Sequence, residues 1–366
     1  MKLTMDIMKR HLQLLMMVLA ITLMPLSLSA SESSGQEGEM DVKEFIFEHI
    51  GDGYEWHITT VGNTHVSLPL PIIVYSRTSG WQTFLSSRLT HGESYEGLRI
   101  ATGGDYKGKV VETLPTGEEV RPLIDISLTK IALGILINSL LLAGIILYIS
   151  RWYRTHTYRD NAPKGFTGIM EMLIMSIYDG VIKPSIGKDS ERFAPYLLTA
   201  FFFIFLSNLM GLLPIFPGGA NVTGNIAVTL SLAICTFLAV NLFGTREYWK
   251  EILWPEVPTW MKCPVPLMPV IELFGIFTKP FALTVRLLAN IMAGHSVILA
   301  LVCIIFITHR MGAVLGGSMT VVSVLFSIFM NFLELLVAFI QAYVFTMLSA
   351  VFIGMARVKS EKSQNS

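Results

Sequence analysis

Between Phe193 and Thr245 the chain contains no Asp, Glu, Lys or Arg. No other feature constrains the fold as strongly. A run of that length and polarity is at home in hydrocarbon, where every backbone N–H and C=O must be satisfied within the segment and only helices or closed barrels span. Pro214, Pro217, Gly218, Gly219 and Asn221 interrupt the run, which predicts two helical spans with a break between them. A third charge-free stretch, Ile131 to Ser150, reaches the ~20 residues that a bilayer crossing needs. Two further apolar segments, about 266–308 and 318–356, exceed that length, which predicts strongly tilted helices. Charged residues make up 15% of the chain, against about 25% in soluble domains. The expected fold class is therefore an all-α polytopic membrane protein with five transmembrane helices, two of them long and tilted.

The flanking regions have a different character. Residues 1–30 carry Lys9 and Arg10 ahead of a short apolar stretch ending in small residues, the pattern of a signal peptide. An uncleaved anchor helix is the alternative. Residues 31–122 have soluble composition, with alternating stretches around Gly62-Asn63 and around the glycines of "LRIATGGDYKGKVVETLPTGEEV". These read as hairpins in a small β-rich extracytoplasmic N-terminal region. His49, His57, His65 and His91 lie there without metal-ligand spacing. The segment "FTGIMEMLIMSIYDGVIKPSIG" mixes Glu171 and Asp179 into an apolar pattern and suits an interfacial amphipathic helix better than a span. Residues 123–357 then form the membrane domain and 358–366 a tail. Cys235, Cys263 and Cys303 are widely separated and imply packing rather than disulfides. The formal net charge of zero gives no reason to expect nucleic acid as a partner.

Lys and Arg set the orientation. Arg151, Arg154, Arg159 and Lys164 follow the first span. Arg246, Lys250 and Lys262 follow the third, and Arg357, Lys359 and Lys362 the fifth. The two opposite loops hold only Arg310. The C-terminus is thus expected in the cytoplasm. Five crossings put the N-terminal region outside, where a signal peptide would also send it.

The long spans carry polar residues in order. Glu272, Lys279 and Arg286 are spaced by seven, as are Ser327, Glu334 and Gln341. A spacing of seven returns to nearly the same helix face, with a drift of about 20°. Asn290 falls near the first stripe and Asn331 near the second. His295 lies nine residues beyond Arg286, about half a turn round the helix. In an antiparallel hairpin closed near Met311–Gly317, Arg286 falls level with Gln341, and His295 level with Glu334. The second pair lies about 13 Å nearer the outside, at 1.5 Å per residue. A charge at the centre of a span costs roughly 3 kcal/mol on insertion scales, so Arg286 needs a reason to be there. A structural ion pair or a snorkelling side chain is the plain alternative, and snorkelling suits Lys279 and Glu272 best.

The stretches "ELFGIFTKPFALTVRLLANIMAGH" and "NFLELLVAFIQAYVFTMLSAVF", with "SNLMGLLP" and "TGNIAVTLSLA", resemble subunit a of the F-type ATP synthase over about 123–357. The resemblance implies the proton-translocating stator subunit, not catalytic alone, which loads and unloads a carboxylate on the neighbouring c-ring through two offset half-channels. It implies Arg286 as the essential arginine, Gln341 as the glutamine facing it, and His295 with Glu334 as an acid–base pair. It gives Asn290 as a polar neighbour of the arginine and Glu272 as an acidic residue of the cytoplasmic half-channel. Expected partners are the c-ring, the subunit b peripheral stalk, the lipid bilayer, and protons or Na⁺. No cofactor or metal is implied, and the expected location is the bacterial plasma (inner) membrane. A secondary ion transporter or free-standing channel is the rival reading, although internal repeats of the transporter kind are missing. An intramembrane hydrolase would need a motif such as HExxH or GxSxG, and the chain has neither.

Overall fold

The structure is a computed structural model. It describes residues 51–61, 64–89, 94–101, 103–104, 106–114, 118–156, 163–213, 218–253, 267–309 and 313–357. The expected signal peptide and the tail 358–366 lie outside the described residues, as do His49 and His91. The chain divides into two units. One takes the chain up to Ile135 with the loop Met210–Ala220, and the other takes Leu136–Leu209 with the rest of the chain from Asn221.

The first unit is built of short antiparallel strands. β1 (Glu55–Val61) and β2 (Thr64–Pro69) pair antiparallel, with Val61 opposite Thr64 at one end; the expected turn residues Gly62 and Asn63 lie outside the described residues. β3 (Pro71–Ser76), β4 (Gly80–Leu85) and β8 (Ile124–Asp125) make a three-stranded sheet in the order β4-β3-β8. β5 (Leu98–Ile100), β6 (Val110–Thr113) and β7 (Glu119–Val120) make another. Because side chains alternate along a strand, Ile72 and Val74 of β3 and Phe84 of β4 share a face. They are buried with Tyr54, Leu89, Leu98 and Val110 in one core. Polar density concentrates on Glu112 of β6. Its carboxylate accepts hydrogen bonds from Ser76 Oγ at 2.7 Å, Thr78 Oγ1 at 2.5 Å, and the backbone N–H groups of Arg77 and Thr78 at 3.0 Å each. Burial alone would raise its pKa, but these donors together outweigh burial and hold the carboxyl down at about 2.

The second unit is helical. α1 (Lys130–Thr155) is followed by α2 (Phe166–Ile177), a π-helical turn at Tyr178–Ile182, the single turn α3 (Lys183–Ile186) and α4 (Ser190–Leu212). α5 (Ile226–Leu242) begins after the Pro/Gly break, with Asn225 Oδ1 capping it by accepting from the N–H of Ala227 at 2.8 Å. α6 (Arg246–Leu253) leads to the two longest helices, α7 (Leu267–His309) and α8 (Ala313–Arg357). Among the described residues four helical stretches are long and apolar enough to cross a membrane: Lys130–Thr155, Phe166–Leu212, Val270–Ile305 and Gly316–Arg357. α5 is apolar throughout but has only 17 residues. The segment α2–α3 runs on helically toward α4, and buries Ile177, Val181, Ile182 and Ile186 in the core of this unit.

Inside the unit, polar side chains join the helices, as expected where lipid supplies no hydrophobic drive between them. Asn138 of α1 donates to Ser207 Oγ of α4 at 3.2 Å. Asn208 of α4 donates to the Ala338 carbonyl of α8 at 3.3 Å and accepts from Thr223 Oγ1 at 2.5 Å. Where α8 crosses α3, a Cβ added at Gly354 would stand 2.0 Å from the Ser185 carbonyl oxygen, so only glycine permits this approach. Arg357 then clasps the end of α8 to Asp189, with Nε 2.8 Å from Oδ2, and donates to the Phe243 carbonyl.

Candidate functional site: a buried acid–base contact between the two longest helices

α7 and α8 form an antiparallel pair, and each shows its polar residues in a particular direction. On α8 the stripe Ser327, Glu334 and Gln341 is buried. On α7, Phe274, Phe277, Phe281 and Val285 form one exposed apolar stripe, and Arg286 and Asn290 are exposed on a different side of the helix. Glu272 and Lys279 are half-buried, not exposed with Arg286. The seven-residue spacing keeps them near the side of α7 that carries Arg286, and Lys279 Nζ lies 5.5 Å from the centre of the Phe352 ring of α8. Glu272 is near Tyr248 of α6. Burial first, and then this carboxylate, push the Tyr248 phenol above its ordinary pKa.

His295 and Glu334 meet. His295 Nδ1 lies 2.5 Å from Glu334 Oε1, with the imidazole about one-fifth exposed and the carboxylate side chain 4% exposed. The hairpin register predicted from the summed residue numbers brings these two groups together. The other carboxylate oxygen, Oε2, is buried without a hydrogen-bond partner among the described residues. Buried polar atoms nearly always have partners, so an orphaned carboxylate oxygen calls for a chemical reason. Gly294, beside the histidine, makes room for the carboxylate. A Cβ there would stand 2.9 Å from Oε1 and 3.1 Å from Cδ of Glu334. Sequence periodicity carries no sign of Gly294, because a missing side chain leaves no pattern.

Arg286 and Gln341 are not joined in the same way. Gln341 is buried, Arg286 is exposed, and neither makes a hydrogen bond or ion pair among the described residues. Equal depth along the hairpin therefore does not put these two side chains on one face. Asn290, one turn beyond Arg286, is exposed with it. No group of three or more potential metal ligands occurs among the described residues.

The comparison with known proteins bears on this arrangement. A family model described as "ATP synthase A chain" matches residues 135–354, a span that contains Glu272, Arg286, Asn290, His295, Glu334 and Gln341. The chain belongs to the ATP synthase A chain family. It is 42% identical to ATP synthase subunit a of Chlorobium phaeobacteroides (strain DSM 266) over 262 residues, covering 69% of this chain and 72% of that one. It is 44% identical to ATP synthase subunit a of Chloroherpeton thalassium over 239 residues, covering 63% and 67%. It is 39% identical to ATP synthase subunit a of Myxococcus xanthus over 251 residues, covering 66% and 77%. The strand-built part of the chain falls outside the ATP synthase A chain match. Residues 45–126 match a model described as a domain of unknown function, DUF8433.

Proposed function

We propose a route for the protons that this chain carries as the proton-translocating stator subunit of the F-type ATP synthase. The observation that carries the proposal is the 2.5 Å contact between His295 Nδ1 and Glu334 Oε1, with Oε2 buried beside it and without a partner among the described residues. A proton arriving from outside is taken up by the imidazole, which can both accept and donate one, and passes to the carboxylate. Glu334 hands it toward a carboxylate on the neighbouring c-ring. Arg286 holds a permanent positive charge at an exposed position of α7. It favours the ionised ring carboxylate and repels protons that would otherwise leak straight across. Arginine suits the position because its delocalised guanidinium keeps its charge. Gln341 and Asn290 supply polarity at and beside that level. The proton leaves after a turn of the ring, past Glu272 toward the cytoplasm, so the two half-channels are offset. The membrane potential contributes about 2.3 kcal/mol per charge per 100 mV.

The topology that fits this route has five crossings: α1, α4, α5, α7 and α8. The segment α2–α3 is interfacial, the strand-built region lies outside and the C-terminus in the cytoplasm of a bacterial inner membrane. The subunit b stalk is the further partner. Cysteine labelling from outside is expected to reach Thr64→Cys and to miss Ser363→Cys; the reverse pattern would reject the orientation. The route is tested by proton flux against pH in vesicles bearing His295→Ala, Glu334→Ala and the exchange His295→Glu with Glu334→His. Each single change slows uptake, more steeply as external pH rises, and the exchange recovers part of the loss at unchanged subunit level. Normal pumping by both single variants at every pH would remove the pair from the route.

A further inference from the structure

The sheet β4-β3-β8 has two apolar faces, and only one of them is in the core. An antiparallel sheet ordinarily turns its second face to water and makes it polar. Here the outward residues follow from the register. Tyr75 lies between Trp81 of β4 and Ile124 of β8. Ile73 lies between Thr83 and Ile126, the latter donating its N–H to the Ile73 carbonyl at 2.9 Å. Leu85 continues the β4 edge. Trp81, Leu85, Ile124 and Ile126 are 59%, 50%, 45% and 61% exposed. Thr83 is the only polar member of this set, and none is charged. Contiguous exposed apolar surface of this kind marks an interaction site.

The chain itself indicates the occupant. β8 runs into α1 without slack. Beyond Ile126, the N–H of Leu128 donates to the Pro71 carbonyl at 3.0 Å. The N–H of Lys130 donates to the Gly53 carbonyl at 2.8 Å, and the N–H of Ile131 to Asp52 Oδ1 at 3.1 Å. The first turn of α1, which belongs to the strand-built unit, is thus hydrogen-bonded within that unit. From Ile126 to the start of the helix is four residues, about 13 Å of extended chain. The charge-free stretch Ile131–Ser150 begins directly afterwards. A sheet pinned this close to the point where a span leaves hydrocarbon is held at the lipid headgroups. Its face carries the residues that favour that layer, a Trp and a Tyr in edge contact (ring centres 5.3 Å apart) among aliphatic side chains. We propose that the outer face of β4-β3-β8 lies on the bilayer, with Trp81, Tyr75, Ile124 and Ile126 at the boundary of headgroups and acyl chains of the leaflet that α1 enters. The strand-built unit would then anchor the start of α1 as a membrane-surface footing, rather than as a free domain. This inference rests on reading α1 as a span.

The test uses the assembled synthase in vesicles of phosphatidylcholine and phosphatidylglycerol, with Cys235, Cys263 and Cys303 replaced by alanine. Nitroxide labels are placed at Trp81→Cys and Ile126→Cys. Ser94→Cys serves as a solvent reference, being exposed next to Tyr95, which packs on the core side of β4 against Phe84. Leu140→Cys, from the exposed side of α1, is the lipid reference. Accessibility to oxygen, which concentrates in lipid, is compared with accessibility to a water-soluble nickel chelate. Labels on the sheet face are expected to show an oxygen-to-nickel ratio severalfold above that of Ser94→Cys, and below that of Leu140→Cys. A ratio equal to that of Ser94→Cys would mean the face is in water. Shielding from both reagents would mean that protein covers it, whether a partner or residues 31–50 of this chain. Either result overturns the proposal. A water-like ratio at Leu140→Cys would overturn the reading of α1 as a span, and the proposal with it.

Discussion

Substitution of Gly294 probes the proposed relay without replacing His295 or Glu334. A Cβ at this position would sit 2.9 Å from Glu334 Oε1, where ordinary contact begins at 3.4 Å, so the carboxylate must retreat by about 0.5 Å. The displaced group is the end of a flexible side chain, so the fold tolerates the shift. Glycine to alanine within a helix even favours the helix by up to about 1 kcal/mol. Directed away from α7, the shift would lengthen the 2.5 Å contact with His295 Nδ1 to about 3.0 Å, still within hydrogen-bond range. Gly294→Ala should therefore slow proton flux only a fewfold. Gly294→Val adds two methyl groups in the same direction and should break the contact. A hydrogen bond to a charged group contributes about 1.5–3 kcal/mol, so its loss corresponds to roughly a 10- to 100-fold fall in flux at 1.4 kcal/mol per decade. The assay is ATP-driven proton pumping in inverted vesicles, with subunit a quantified in the same membranes and ATP hydrolysis by the detached catalytic sector as control. The graded order Gly, Ala, Val is the signature. Equal pumping by Gly294→Val and the parent at matched subunit level would refute the reasoning, because the crowded carboxylate would then lie off the proton's path.

Two further outcomes follow from the same structure. Arg286→Ala and Arg286→Lys should both assemble. A unit charge 4 Å from a carboxylate at an effective dielectric of 20 contributes about 4 kcal/mol, so Arg286→Ala should lower gradient-driven ATP synthesis by roughly a thousandfold, whereas near-normal synthesis would show that the charge does not act on the ring. Glu112 has its carboxyl lowered from 4.5 to about 2 in the folded state, so the stability it contributes is fully present above pH 4.5 and is lost as pH falls toward 2. The shift corresponds to about 3 kcal/mol. Hydrogen exchange of the Arg77 and Thr78 amides, corrected for intrinsic rates, should lose protection across that window in the parent chain and should already lack it in Glu112→Gln, whereas identical pH profiles would contradict the assignment.

The membrane part of the architecture was legible because hydrocarbon imposes simple rules. Charge-free runs gave the helices α1, α4 and α5, the Pro/Gly cluster gave the break between Leu212 and Ile226, and seven-residue spacing put Ser327, Glu334 and Gln341 on one buried face. Hairpin arithmetic gave the meeting of His295 with Glu334, since depth along two antiparallel rods is fixed by residue number alone. Depth does not fix azimuth, however. Only the packed structure separates exposed Arg286 from buried Gln341 and turns Lys279 toward Phe352. The same limit hid Gly294, whose contribution is a space shaped by a side chain 40 residues further along the chain. It also hid the Arg357 clasp on Asp189 and the donors gathered around Glu112 from the β3–β4 turn. These features come from chain segments that meet only on folding, and local periodicity carries no record of which distant segment each will meet. The apolar outer face of β4-β3-β8 shows both sides of the matter: the sequence supplied its residues, and the strand register gathered them onto one side.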